Sequence, residues 1–284
     1  MERKIKEKVT GFRTKDGAGV SLVRVLGTET VKIFDPILML DSFDSTNPED
    51  YTAGFPLHPH RGIETISLIV KGNMVHKDSL GNEDAISDRE VQWMTAGSGI
   101  LHEEMLPASE RMLGVQLWLN MPAKDKMKKP AYQSIKRNEI EAIPIEGGSL
   151  RLVSGTYKDH TGYQGHYLPL DYYDIILESN RKFMIEMNRD KSVMVFLLTG
   201  HAMIAGELVE EKTAVKLSEG TSLTMESLDQ ETEILFISSD RLDESVAWGG
   251  PIVMNTQDEL NTAFRELREG TFLKDKMEYH IDNK

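Results

Sequence analysis

Short apolar stretches separated by turn residues recur along this chain of 284 residues. Examples are ETISLIVKGNMVHKD, LGVQLWLNM, SVMVFLLTGHAMIA and TEILFISSD. Apolar runs of this length that are bounded by Gly, Asn and Asp are typical of β-strands. Because many short strands follow one another at regular spacing, the pattern predicts β-sandwiches or barrels and not alternating strand–helix units. The fold class is therefore predicted to be mainly β.

One segment near the C-terminus has a helical pattern instead. Thr256 and Glu259 match a capping box, and Gly270 is a typical stop signal. Between them, apolar side chains recur with helical spacing at Leu260, Ala263, Phe264 and Leu267. We therefore expect a helix over this stretch, after the last strands.

A weak internal repeat suggests two copies of one β-module. SLIVKGNMV resembles VFLLTGHAM, with Gly72 and Gly200 in register. A repeated pattern of this kind predicts two similar supersecondary units in tandem. The boundary falls near residue 135, which gives an N-terminal domain of residues 1–135 and a C-terminal domain of residues 136–284.

The two copies differ in their histidines. His58 and His60 of the first copy correspond in position to Glu186 and Asn188 of the second. A metal site built on these histidines is therefore expected in the N-terminal domain alone.

The composition excludes several classes of function. The chain has no cysteine, which rules out disulfides, thiolate-bound zinc and iron–sulfur clusters. Its 46 acidic and 33 basic residues give a net charge of −13, which opposes direct binding to a nucleic-acid backbone. No apolar run is long enough to span a membrane, and the first residues lack the apolar region of a signal peptide. We expect a cytoplasmic protein.

Two pairs of polar side chains have the spacing that places both members on one face of a strand. His58 and His60 form one pair, and His102 and Glu104 form the other. Residues i and i+2 of a strand point to the same side. If the two segments are neighbours in a sheet, three imidazoles and one carboxylate converge. Such a set suits one divalent transition metal, with Fe(II) as first choice and Ni, Cu, Mn, Co and Zn as alternatives.

Other titratable side chains compete for these roles. Glu64 has the strand parity of the first histidine pair, which makes it a supporting carboxylate or a reserve ligand. Glu103 adjoins Glu104, but the parity of the second pair favours Glu104. His76 sits at an alternating strand position, which predicts a structural role. No role is assigned to the isolated histidines His160, His166, His201 and His280.

Two longer motifs, HPHRGIETISLIVKG and QWMTAGSGILHEEM, resemble the signature of the pirin family. GVQLWLNMP and PIVMNTQDELNTAF also resemble pirin segments, and they occur in the expected order. Pirins are two-domain members of the cupin superfamily. The resemblance therefore implies two tandem cupin domains, each an antiparallel β-sandwich or barrel, with a metal in the first domain only, and a monomer.

The resemblance also implies ligands and an activity. It assigns the metal to His58, His60, His102 and Glu104. Pirins commonly read LHAEM where this chain reads LHEEM, so Glu103 adds a negative charge beside the site. The implied activity is that of a quercetin 2,3-dioxygenase, which opens a flavonol ring with O₂ and releases CO. Glu104 would then take the hydroxyl proton as general base.

Two other functions stay open from the sequence. Eukaryotic pirins resemble non-enzymatic, redox-sensing iron proteins that act through protein partners, and a metal-free, storage-like cupin is the third alternative. The enzyme hypothesis implies a phenolic or flavonol substrate and O₂ as partners, without nucleic acid or membrane. Gln116 and Trp118 share one face of their strand and either line the barrel or pack the sheet.

Overall fold

The computed structural model describes residues 1–275, and antiparallel strands dominate it. The predicted mainly-β fold class, with a helix near the C-terminus, is confirmed. The strands are, in chain order, β1 (Ile5–Thr10), β2 (Phe12–Asp16), β3 (Val20–Leu26), β4 (Ile37–Ser45), β5 (Phe55–His60), β6 (Ile63–Lys71), β7 (Met74–Asp78), β8 (Glu83–Ile86), β9 (Glu90–Thr95), β10 (Ile100–Met105), β11 (Met112–Asn120), β12 (Ala131–Ile135), β13 (Glu141–Ile145), β14 (Gly148–Ser154), β15 (Thr156–Tyr157), β16 (His160–Thr161), β17 (Leu170–Leu177), β18 (Lys182–Glu186), β19 (Ser192–Thr199), β20 (Ala202–Ile204), β21 (Glu207–Val209), β22 (Thr213–Leu217), β23 (Ser222–Ser227), β24 (Thr232–Ser239), β25 (Ala247–Gly249) and β26 (Ile252–Met254). The helices are α1 (Val31–Phe34) and α2 (Gln257–Glu269), with 3₁₀ turns at Thr28–Thr30, Pro48–Asp50 and Ala123–Asp125.

The larger sheets come in two matching pairs. One pair consists of a seven-stranded sheet in the order β12-β9-β6-β11-β4-β3-β2 and a four-stranded sheet in the order β5-β10-β7-β8. The other pair consists of a seven-stranded sheet in the order β1-β22-β19-β24-β17-β14-β13 and a four-stranded sheet in the order β18-β23-β20-β21. Equal strand numbers in the two pairs are what a repeated β-module predicts.

The chain divides into two compact units that alternate along the sequence. Unit 1 consists of Met1–Phe12, Val23–Leu38 and Arg137–Leu242, and unit 2 consists of Arg13–Leu22, Met39–Lys136 and, at the end of the described chain, residues 243–275. The passage from unit 2 to unit 1 after Lys136 lies next to the boundary expected near residue 135. The assignment of residues 1–135 and 136–284 to two domains stays a prediction.

Each unit has an apolar core that joins its large sheet to its small one. In unit 2, Ile69 of the large sheet clusters with Met74 and Ile86 of the small sheet. In unit 1, Phe236 of the large sheet clusters with Phe183 of the small sheet. Burial of these side chains supplies the main stabilisation of each sandwich, at roughly 1.5 to 3 kcal/mol for a large apolar side chain.

Helix α2 has the boundaries that the sequence predicts. Thr256 caps its start, with its side chain accepting from Glu259 N at 3.2 Å while Glu259 Oε2 accepts from Thr256 N at 2.9 Å. Gly270 ends the helix with φ 70°, a left-handed conformation that favours glycine. Leu260 and Ala263 are buried in an apolar cluster with β26. No helix within residues 1–275 is long and apolar enough to cross a membrane.

Residues 247–272, which we call the C-terminal strap, are tied to the chain just after β5. Val253 N donates to Arg61 O at 3.1 Å. The buried Lys126 Nζ donates to Val253 O at 3.1 Å and to Gly62 O at 2.7 Å. A Cβ at Gly62 would lie 2.0 Å from Val253 O, so only glycine allows this close approach. The strap is thus fixed beside the strand that carries His58 and His60.

Candidate metal centre

Strands β5 and β10 are antiparallel neighbours in the small sheet of unit 2, and they bring the two predicted pairs together. In the register of these strands His102 lies directly opposite His58. Burial alternates along β10, so that His102 and Glu104 are buried and Glu103 is only half-buried. The strand parity predicted for the second pair therefore matches the side on which each residue lies.

The three histidines converge through their Nε2 atoms. His58 Nε2 lies 3.1 Å from His60 Nε2 and 3.0 Å from His102 Nε2. The ligand atoms of all three residues lie within 4.8 Å of one another. His60 is 2% exposed and His102 is 0% exposed, whereas His58 is half-buried. Of the three rings, that of His58 is therefore the most exposed to solvent.

Backbone carbonyls fix the tautomers of two of these rings. His58 Nδ1 lies 2.8 Å from Pro56 O, and His60 Nδ1 lies 3.0 Å from Pro251 O in the C-terminal strap. A carbonyl oxygen only accepts, so each Nδ1 must carry the proton and donate. In the neutral form of both rings, Nε2 is then unprotonated, and its lone pair points toward the centre of the cluster.

Burial keeps the two inner histidines neutral. Burial lowers the pKa of His60 well below its usual range, and the proximity of His58 lowers it further, against the opposing effect of the Pro251 carbonyl. Burial likewise lowers the pKa of His102 well below its usual range, with added contributions from His58, His60 and His76. The inner rings therefore enter the cluster as neutral imidazoles.

This donor set fits one transition-metal ion. Facing lone pairs repel one another, whereas a cation between them is attracted to all of them. The Nε2 atom of His58 is 3.1 and 3.0 Å from those of His60 and His102. Two nitrogens that bind the same ion at about 2.1 Å, with an angle of about 90° between the bonds, are roughly 3 Å apart, so the observed distances are close to those of a metal site. Imidazole nitrogens suit divalent first-row transition metals. His58, His60 and His102 are thus the residues that could hold such an ion.

Glu104 lies beside this cluster and not within it. Its carboxylate belongs to a second cluster with His76 and His102, whose ligand atoms also lie within 4.8 Å of one another. Gln92 Nε2 donates to Glu104 Oε1, and Gln116 Nε2 donates to Glu104 Oε2 at 3.0 Å. The two amides hold the buried carboxylate in one orientation next to His102. The structure thus groups the three predicted histidines together and links Glu104 to them through His102.

The remaining candidates lie elsewhere or serve other contacts. Glu64 accepts a hydrogen bond from Thr95 Oγ1 at 2.6 Å and belongs to neither cluster. His160 and His201 are in unit 1 and pair with nearby carboxylates. His280 lies outside the described residues.

Both clusters of candidate ligands found within residues 1–275 lie in unit 2. In unit 1, Glu186 ends β18 with an exposed side chain. The site therefore belongs to the small sheet whose strands carry the histidine pairs.

The sequence does not predict several residues that contact the histidine cluster or its neighbours. His76 and Asp78 have the same i, i+2 spacing as the two predicted pairs, and that signal could have found them. Trp248 carries no local signal, because only tertiary contact brings it to the site. The Trp118 ring lies 5.0 Å from the His60 ring and 5.7 Å from the Trp248 ring, measured between centroids. Trp118 therefore lines the site, as does Gln116.

Comparison with known proteins matches both halves of the chain to one family. The family model described as Pirin matches residues 19–119, and that described as Pirin C-terminal cupin domain matches residues 172–273.

Relatives match over almost the whole length. A pirin-like protein of Caulobacter vibrioides is 37% identical over 277 residues, which cover 95% of this chain and 99% of that protein. A Pseudomonas aeruginosa protein, provisionally named a quercetin 2,3-dioxygenase, is 37% identical over 278 residues, with 94% and 97% coverage. The solved structure of a quercetin 2,3-dioxygenase from Acinetobacter baumannii superposes with a TM-score of 0.88 at 29% identity, covering 96% of this chain and 99% of that one. Because the two family models match both halves of the chain and these relatives match it over almost its whole length, the chain belongs to the pirin family, and its two β-sandwiches are cupin domains.

Proposed function

We propose that this protein is a metal-dependent dioxygenase of the pirin type, which opens a flavonol ring with O₂ and releases one carbon as CO. The observation that carries the proposal is the convergence of three Nε2 atoms, from His58, His60 and His102, beside the buried Glu104 carboxylate. The names of the Pseudomonas and Acinetobacter relatives support the same activity.

We propose that His58, His60, His102 and Glu104 hold one divalent transition metal. Fe(II) is the first choice, and Ni, Cu, Mn, Co and Zn are the alternatives. Such a metal would supply Lewis-acid activation of the flavonol hydroxyl oxygen and a binding position for O₂. The metal would lie only in the domain assigned to residues 1–135, which leaves residues 136–284 as a cupin-like domain without ligands of its own.

Glu104 is the proposed general base. Its carboxylate has only acceptor oxygens, and the amides of Gln92 and Gln116 keep both of them oriented. A carboxylate that is buried and held in place beside His102 is positioned to take a proton from a substrate hydroxyl. Gln92 and Gln116 then act as positioning residues, because they hold the Glu104 carboxylate in one orientation.

Trp118 and Trp248 are the proposed contact surface for the substrate. Their rings lie 5.7 Å apart between centroids with an interplanar angle of 36°, and Trp118 also contacts His60. A flat polyphenol gains both apolar burial and ring stacking on such a surface. The half-buried Trp248 and the half-buried His58 leave this side of the site accessible.

The deciding experiment measures metal content and oxygen consumption together. We expect about one equivalent of a first-row transition metal in the protein purified without an affinity tag, and loss of that metal in the double variant His58→Ala/His102→Ala. The double variant His160→Ala/His201→Ala is the matched control, since both residues lie in unit 1, and it should keep the metal. With quercetin, the wild-type protein should consume O₂ and release CO.

Two outcomes would contradict this proposal. Absence of bound metal, with none taken up on anaerobic reconstitution with Fe(II), would remove the metal site and the oxygenase with it. A metal bound at the three histidines without O₂ uptake on quercetin or related flavonols would remove the dioxygenase activity and leave a binding or regulatory function.

A further inference from the structure

We propose that the buried pair Asp78 and His76 fixes the tautomer of His102 and thereby prepares His102 Nε2 to bind a metal. The inference rests on the metal site of the proposed function, and it adds two positioning residues to that site. It assigns a task to a histidine whose spacing in the sequence predicts only a structural role.

Strand β7 places this pair directly beside β10. In the register of the two strands, Asp78 lies opposite His102, and His76 lies opposite Glu104. His76, Asp78 and His102 are all 0% exposed. Bulk solvent therefore does not reach their ring nitrogens, which must find their partners inside the protein.

The three side chains form a continuous row of hydrogen-bonding atoms. His76 Nε2 lies 2.9 Å from Asp78 Oδ2, and His76 Nδ1 lies 3.4 Å from His102 Nδ1. On the far side of the row, His102 Nε2 lies 3.0 Å from His58 Nε2. Each ring thus uses one nitrogen toward Asp78 and the other toward the metal cluster.

Asp78 is held as a pure acceptor at the start of this row. Leu80 N donates to Oδ1 at 2.9 Å, and the Asn82 backbone and side-chain nitrogens donate to Oδ1 and Oδ2 at 3.2 and 2.8 Å. With three N–H donors already directed at it, the carboxylate can only accept from His76 as well.

These contacts determine which nitrogen carries the proton, first in the His76 ring and then in the His102 ring. Because Asp78 accepts, His76 must carry its proton on Nε2, which leaves His76 Nδ1 with a lone pair. That lone pair can accept only if His102 carries its proton on Nδ1. His102 Nε2 is then unprotonated and available as a ligand, like the Nε2 atoms of His58 and His60.

The ring of His76 is also fixed in orientation. Tyr132 stacks on it with centroids 4.1 Å apart and an interplanar angle of 13°. A rotated His76 would lose this stacking together with the contact to Asp78. The acceptor atom is therefore held at a constant place relative to His102.

Replacing Asp78 with Asn is expected to move the proton to the other nitrogen in both His76 and His102. The backbone N–H groups of Leu80 and Asn82 require an acceptor at the position of Oδ1, so the new amide nitrogen takes the position of Oδ2. The side-chain amide of Asn82, which donates to Oδ2 in the wild-type protein, can turn over and present its oxygen to this nitrogen. The new amide nitrogen would donate to His76 Nε2 and force the His76 proton onto Nδ1. His102 would then carry its proton on Nε2, where it blocks the lone pair that a metal needs.

The test compares four variants by Co(II) titration and by nitrogen NMR of the histidine rings in the metal-free protein. We expect Asp78→Asn and His76→Phe to weaken Co(II) binding by about 10- to 100-fold, which is typical for loss of a partner behind a metal-binding histidine. His76→Asn keeps an acceptor near the position of Nδ1 and should stay close to wild type. In the NMR spectra, His102 should change from the Nδ1–H to the Nε2–H tautomer in Asp78→Asn.

Asp84→Asn is the matched control for charge. Asp84 lies opposite His76 on β8 and bonds to Ser134 and Lys136, so its removal changes the local charge without touching the row. It should leave Co(II) affinity and the His102 tautomer unchanged.

The outcomes separate this inference from the proposed function. If wild type binds no metal, the proposed function fails, whereas the NMR result on His102 still decides the tautomer. If Asp78→Asn keeps the wild-type tautomer and affinity, the inference is wrong. A direct role of His76 as ligand, in the cluster with Glu104, would give the reverse order, with Asp78→Asn tolerated and His76→Asn strongly weakened in Co(II) binding.

Discussion

Replacing Glu104 with Gln is expected to lower quercetin turnover by about 100- to 10,000-fold while part of the bound metal is retained, because the amide cannot accept the substrate proton. The substitution keeps the size of the side chain. Gln92 Oε1 is buried without a hydrogen-bond partner, so a flip of the Gln92 amide would offer an acceptor to the new amide group. Turnover should be measured per equivalent of bound metal, with metal content determined on the same sample.

Glu103→Gln is the control for this prediction. Glu103 lies next to Glu104 in sequence, but alternation along β10 places it on the other side of the strand, opposite Lys77. Its replacement removes the same charge and should leave turnover within about threefold of wild type, since surface charges act weakly across a protein. Wild-type turnover in Glu104→Gln at unchanged metal content would exclude Glu104 as the base.

Replacing Arg61 with Met is expected to lower the free energy of unfolding of unit 2 by about 3 to 5 kcal/mol. The buried guanidinium donates to Ser98 O and to Phe272 O, both at 2.7 Å, and forms an ion pair with Glu266 at 2.8 Å. It also lies 4.2 Å from the centroid of the Phe272 ring. Methionine fills much of the space but leaves the two carbonyl oxygens without a donor, which is the main cost.

Chemical denaturation followed by tryptophan fluorescence measures this effect selectively. The three tryptophans, Trp93, Trp118 and Trp248, all lie in unit 2. The experiment should use metal-free protein, because a bound metal would add its own stabilisation. Arg268→Met, at an exposed position of α2, is the control and should change stability by less than about 0.5 kcal/mol. An equal effect of both substitutions would show that Arg61 does not anchor the C-terminal strap.

Local patterns in the sequence predict the parts of the site that depend on one strand at a time. The i, i+2 spacing of His58 and His60, and of His102 and Glu104, sets the face on which each side chain lies, because successive residues of a strand alternate in direction. The capping residues Thr256 and Gly270 predict both ends of α2 for a similarly local reason. In these cases the backbone geometry of a single element is sufficient.

Contacts between distant segments are not visible in such patterns. The carbonyl of Pro251 accepts from His60 Nδ1, although the two residues are 191 positions apart in the chain. Gln92 reaches Glu104 because β9 and β10 lie in different sheets of one sandwich, and that packing sets the distance. The sequence predicts a ligand at His60, but the protonation of its Nδ1 depends on the position of the C-terminal strap.

The boundaries of the two units also depend on contacts between distant segments. The repeat predicts two modules from similar strand patterns, and the structure has two sandwiches with equal numbers of strands. Strand pairing, however, assigns the first residues of the chain to unit 1, where β1 pairs with β22. Residues 243–275, by contrast, belong to unit 2 although they follow unit 1 in the sequence.

By itself, the sequence determined the β-rich fold class, the two modules, the helix and the four candidate ligands, because periodicity and spacing act within single elements. Only the tertiary structure decided which side chains hold those ligands in place. The row from Asp78 through His76 to His102, the amides around Glu104 and the strap over His60 all depend on hydrogen bonds between separate strands. Such bonds form only when burial of apolar side chains brings the strands together, and buried polar atoms must then find partners within the protein.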